Sequence, residues 1–77
     1  MATKAYVLIE TAVGKTKDVV AALKGVKEVT SVDAVTGPYD IIARVQVEDV
    51  NAIGRLITEE VHPLHGVVRT VTCISIS

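Results

Sequence analysis

From Tyr39 to Val47 the chain reads as one extended segment: Ile41, Ala43, Val45 and Val47 fall on one side, Asp40, Ile42, Arg44 and Gln46 on the other. A period of two marks a strand with one face in a core. A single strand cannot bury a face, so the rest of the chain must supply sheet neighbours and a covering layer. Lys4 to Thr11, with Tyr6, Val7, Leu8 and Ile9, reads as a first strand, broken at Val13-Gly14. Lys15 to Lys24 switches to helical spacing at Thr16, Val19, Val20 and Leu23, with Lys15, Lys17, Asp18 and Lys24 mostly off that face. Asp18 suits the positive end of the helix dipole. Gly25 is expected to close the helix as a left-handed cap.

Val26 to Val35 follows as a second strand. Its valines at 26, 29, 32 and 35 do not alternate cleanly, which predicts a bulge or bend near Thr30-Ser31. After the alternating strand, Asp49 is placed to cap a second helix with an apolar stripe of Val50, Ile53, Leu56, Ile57 and Val61, stopped at His62-Pro63. Gly66 turns the chain into a last strand, Val67 to Ile76, one face of which is Val68, Thr70, Thr72, Ile74 and Ile76.

The predicted order is βαββαβ. Gly25-Val26 and Gly66-Val67 each follow a helix and open a strand, a faint internal repeat. Two interlocked βαβ-like halves give an α+β, ferredoxin-like fold: a four-stranded antiparallel sheet with two helices on one face. Val7, Ile9, Ile41, Ala43 and Val45 are expected under the helices; Tyr6, Leu8, Ile42 and one face of the last strand then look outward. The 77 residues are 49% hydrophobic with no Phe or Trp, so the core is aliphatic. A domain of this size buries only about 60–65% of its unfolded surface. The surplus of aliphatics predicts a second copy packed sheet to sheet, a dimeric α/β-barrel assembly. Glu10 and Arg44 fall on that outward face, on the first and third strands, where they are expected to pair within or across the dimer.

Eight basic and nine acidic residues leave a net charge of −1, and no basic stripe is interleaved with aromatics, which argues against direct nucleic-acid binding. A lone cysteine, Cys73, precludes an internal disulfide and fits a reducing, cytoplasmic setting. It is expected as a buried, inert thiol. No apolar run approaches the roughly 18 residues of a membrane helix. His62 and His65 stand near Glu59 and Glu60, but Pro63 separates them and nothing completes a ligand set, so no metal site is expected. No nucleophile–histidine–acid arrangement and no cofactor motif is present.

The stretch with most chemical content is Val35-Thr36-Gly37-Pro38-Tyr39-Asp40, between two apolar runs. Gly37 permits positive φ and a close approach to the backbone; Pro38 fixes φ and offers no N–H. A plain turn needs these two but not the phenol and carboxylate that follow. An aspartate at a strand start often only bonds the local backbone, and that bland role competes with a binding one.

Three segments occur together in order: Ala5-Tyr6-Val7-Leu8-Ile9-Glu10-Thr11, Val35-Thr36-Gly37-Pro38-Tyr39-Asp40-Ile41 and Gly66-Val67-Val68-Arg69-Thr70-Val71-Thr72. They resemble the effector-binding half of the Lrp/AsnC family of transcription regulators, the RAM (regulation of amino-acid metabolism) domain. The glycine–any–tyrosine–aspartate turn is the most specific part of the match. Family members usually carry an N-terminal helix-turn-helix; with a first strand starting at about Lys4, the expectation is a single RAM domain over 1–77 with no DNA-binding domain.

The resemblance implies a non-enzymatic, amino-acid-binding and oligomerisation module. It implies sheet-to-sheet dimers joined into a ring, commonly an octamer, and transcription modulated through a partner, such as a full-length Lrp/AsnC regulator. The implied ligand-binding residues are Thr36, Gly37, Pro38, Tyr39 and Asp40 at the turn, with Thr70 and Thr72 as candidates from the neighbouring dimer. Backbone amides around Gly37 would take a carboxylate and Asp40 an ammonium. As a hairpin-tip group, Asp40 is expected to carry little of the fold. Two alternatives share the topology: an ACT-like regulatory subunit of a metabolic enzyme, and a small dimeric α/β-barrel enzyme, for which only Glu10 and Arg44 could supply titratable groups.

Overall fold

The computed structural model describes residues 2–77. Its elements are β1 (Thr3–Thr11), α1 (Thr16–Lys24), β2 (Val29–Ala34), β3 (Ile41–Val47), α2 (Val50–Leu56), a π-helical turn (Ile57–Val61) and β4 (Val67–Ile74). The strands form one sheet in the order β2-β3-β1-β4, every pair antiparallel. This is the expected α+β, ferredoxin-like architecture.

The alternation in β3 becomes the core. Ile41, Ala43, Val45 and Val47 lie beside Ala5, Val7 and Ile9 of β1, under Val19 and Leu23 of α1 and Ile53, Leu56, Ile57 and Val61 of the second helical segment. Full burial of a Val, Leu or Ile side chain contributes about 1.5–3 kcal/mol, so this cluster is the main source of stability. On the sheet's other side, Tyr6, Leu8, Ile42 and Val71 make an apolar row that no helix among the described residues covers; Tyr6 is 40% and Val71 37% exposed.

Asp49 caps α2, its carboxylate accepting the Ala52 N–H at 2.9 Å, a contact worth about 1 kcal/mol. The helix does not stay regular to Val61. The ring of Pro63 would crowd the Glu59 carbonyl of a continuing α-helix, and the last turn widens so that the His62 N–H reaches the Ile57 carbonyl at 2.8 Å.

Several boundaries differ from the sequence reading. β2 starts at Val29, not Val26, because the Val26 N–H is spent on the Leu23 carbonyl and the Val29 N–H on the Val26 carbonyl. Gly25 is not left-handed: its φ is −85°, and its N–H bonds back to Ala22 in a tightened turn. β4 ends at Ile74. The expected irregularity near Thr30-Ser31 is a shift in β2–β3 register between Val29 and Ser31. Cys73 is exposed, not buried, because it alternates onto the uncovered face opposite Tyr6.

Gly66 has φ +101°, and a Cβ there would come 2.7 Å from the Lys15 Cβ. Only a residue without a side chain lets the entry to β4 pass so close to the start of α1. No helix among the described residues is long and apolar enough to cross a membrane.

Candidate functional site

The β2–β3 turn closes when the Val35 N–H donates to the Asp40 carbonyl at 2.9 Å. The Asp40 N–H in turn donates to the Ile9 carbonyl at 2.9 Å, fixing the base of the turn to β1. Gly37 sits at φ +142°, a region side chains disfavour, and, its chain neighbours aside, no atom of the described residues lies within 4 Å of where its Cβ would be. Thr36, Gly37 and Pro38 are exposed; Tyr39 and Asp40 are half-buried.

Tyr39 and Asp40 point to opposite sides of the sheet end, as successive residues of extended chain do. Tyr39 turns to the uncovered face. The Arg69 guanidinium lies 5.4 Å from its ring centroid and donates to its hydroxyl at 3.4 Å. The same guanidinium is 3.4 Å from the Glu10 carboxylate. Asp40 turns to the helix side, not to the face of Ile42 that alternation predicts, because it belongs to the turn and not to β3; there Oδ2 accepts the Thr11 N–H at 2.8 Å and the Thr11 hydroxyl at 3.2 Å. Thr11 Oγ1 is also 2.7 Å from Thr16 Oγ1, at the start of α1. Asp40 is therefore part of the local fold, contrary to the expectation that it carries little of it.

Beside this carboxylate lies an open cleft of about 420 Å³ lined by Thr16, Ala34, Val35, Thr36 and Asp40. A larger depression of about 940 Å³, lined in part by Lys27, Glu28, Glu48, Asp49 and Arg55, lies at the far end of the sheet and mixes both charge signs.

The expected residues divide into two groups. Thr36 to Asp40 are held together by the turn. Thr70 and Thr72 are elsewhere in the chain: they pair with Ile9 and Val7 on the far side of β1, and Thr70 Oγ1 lies 3.2 Å from His62 Nε2. They do not line the cleft within one subunit. Glu10 and Arg44 do not pair with each other within the chain; Glu10 faces Arg69, and Arg44 stacks over Tyr6 at 5.8 Å. No cluster of three His, Cys, Asp or Glu side chains suited to a metal occurs among the described residues. Thr16 carries no motif, and Thr11, though it ends one of the matched segments, gives no sign in the sequence of contact with Asp40. The fold alone brings them to Asp40.

A sequence model of the family described as "Lrp/AsnC ligand binding domain" matches residues 4–77. No curated protein matches the chain. Solved structures do. TTHA0845 from Thermus thermophilus is 32% identical with a TM-score of 0.93, over 97% of this chain and 94% of that one. The hypothetical protein PHS023 from Pyrococcus horikoshii is 31% identical with a TM-score of 0.90, over 100% of this chain and 92% of that one. The transcriptional regulator NMB0573 from Neisseria meningitidis, solved as its L-Met complex, has the same fold at 19% identity and a TM-score of 0.88, over 97% of this chain and 50% of that one.

Proposed function

This chain belongs to the Lrp/AsnC ligand-binding domain family, and from that premise we propose that it is a non-enzymatic module that binds an amino acid and modulates transcription through a partner regulator. The observation that carries the reading is the half-buried Asp40 carboxylate in the wall of an open cleft of about 420 Å³, which also takes in Thr36, next in the chain to the exposed Gly37. An amino acid needs an anion acceptor for its ammonium and free N–H groups for its carboxylate. Asp40 supplies the first by a charge-assisted bond, and amides around Gly37 supply the second. Thr36, Pro38 and Tyr39 shape the turn that holds both. The structurally similar Neisseria regulator was solved with L-Met, which is consistent with a ligand of this class.

The cleft is open on one side, and a neighbouring subunit would close it. In the proposed assembly, copies pair through the face carrying Tyr6, Leu8, Ile42 and Val71, and dimers join into a ring. Thr70 and Thr72 would reach a ligand only from the adjoining dimer.

A thermal-shift screen of the twenty amino acids, run beside light scattering, tests the proposal. A ligand present at a hundred times its Kd stabilises the native state by about 2.7 kcal/mol. A raised Tm with one or a few amino acids is expected. No shift with any of them would refute amino-acid binding.

A further inference from the structure

The hydrogen bonds behind Asp40 have a direction, and that direction selects what the cleft can hold. A carboxylate only accepts. The Thr11 hydroxyl, 3.2 Å from Asp40 Oδ2, must therefore be the donor to it. A hydroxyl carries one proton, so Thr11 has none left for Thr16. In the 2.7 Å contact between the two hydroxyls, Thr16 donates and Thr11 accepts. Protons thus run from Thr16 to Thr11 and from Thr11 to Asp40, so the Thr16 hydroxyl has none left for the cleft that Thr16 and Asp40 both line.

What remains for a ligand on this wall is acceptor capacity: the lone pairs of Thr16 Oγ1, and Asp40 Oδ1, which has no protein hydrogen bond among the described residues. We propose that Thr16 is a ligand-contacting residue, sharing with Asp40 the ammonium group of the bound molecule, and that Thr11 is the positioning residue that keeps both as acceptors. The proposal rests on the amino-acid-binding reading above and adds to it which part of the ligand enters this cleft, and on which residues. An ammonium brings three donors and no acceptor, which matches the wall. The positive end of α1 opposes a cation here, but it amounts to roughly half an elementary charge, against a full one on Asp40. Ala34 and Val35 line the same cleft with apolar side chains, and the Thr36 hydroxyl, which can donate or accept, completes the lining.

Thr16→Val and Thr11→Val keep shape and β-branching while removing one hydroxyl each; Thr16→Ser and Thr11→Ser restore it. Each variant and the parent would be titrated calorimetrically with the twenty amino acids, then with the decarboxylated amine and the deaminated acid of the strongest binder. Melting curves confirm that each variant folds. In the parent, the amine should bind measurably and the deaminated acid should not. Thr16→Val should lose about tenfold or more in affinity for the amino acid and the amine, while Thr16→Ser stays within about threefold of the parent. Thr11→Val frees the Thr16 proton to turn toward the ligand and should lower the preference for amine over acid, with Thr11→Ser restoring it. A folded Thr16→Val that binds amino acid and amine as tightly as the parent overturns this assignment and leaves amino-acid binding standing. Failure of every amino acid to bind the parent overturns both.

Discussion

The backbone N–H of Thr11 donates to Oδ2 of Asp40 at 2.8 Å, across 29 positions of sequence. One side chain thereby joins the end of β1 to the turn between β2 and β3. The same side chain lines the cleft, so its structural and binding roles need separate variants.

Asp40→Ala leaves a part-buried N–H and a hydroxyl without their acceptor, and should cost about 1–3 kcal/mol of stability. Asp40→Asn keeps an amide oxygen for Thr11 and should cost less. In binding, Asp40→Asn removes the charge that faces the ammonium and should weaken the amino acid roughly thirty- to a hundredfold, about 2–3 kcal/mol. Urea unfolding and calorimetry on both variants check the pair. An Asn variant that binds like the parent would show that Asp40 serves the fold alone.

Gly37 and Gly66 both have positive φ but different surroundings. Gly37→Ala meets only backbone strain, about 1–3 kcal/mol, since its Cβ would enter open space. Gly66→Ala adds a steric overlap with the Lys15 Cβ, 2.7 Å away, and should be the more damaging of the two. Lys15→Gly on the Gly66→Ala background should recover part of the loss. The discriminating measurement is a double-mutant cycle in urea; additive losses would contradict the contact.

Ile42→Glu places a charge in the row it shares with Leu8 and Val71, opposite the helices. If copies pair through this face, sedimentation should show a shift toward monomer, since an unpaired charge in a dry interface is costly. Unchanged mass would argue for a different contact surface.

Glu10→Gln removes the carboxylate from Arg69, but the two side chains are 43% and 60% exposed. Solvent screens such a pair, and stability should stay within about 0.5 kcal/mol of the parent. A larger loss by thermal melting would mean that the Tyr39–Arg69 stack depends on Glu10.

The sequence by itself determined the layers. Strict alternation from Ile41 to Val47 and the stripe through Ile53, Ile57 and Val61 place the core, because burial depends on which side of an element each residue occupies. The turn at Gly37 was legible for the same reason: backbone demands on glycine and proline are local. Tertiary structure alone decided what Asp40 touches. Thr11 and Thr16 are unremarkable where they stand in the chain, and they reach the carboxylate only because β1 lies beside β3 and feeds α1. Cys73 shows the same division. Its place on an uncovered face follows from the pairing of β4 with β1, which a composition-based expectation of burial could not contain. Local propensity and periodicity are written residue by residue; the pairing of strands across tens of positions, and with it the direction of each long-range hydrogen bond, exists only once the sheet has formed.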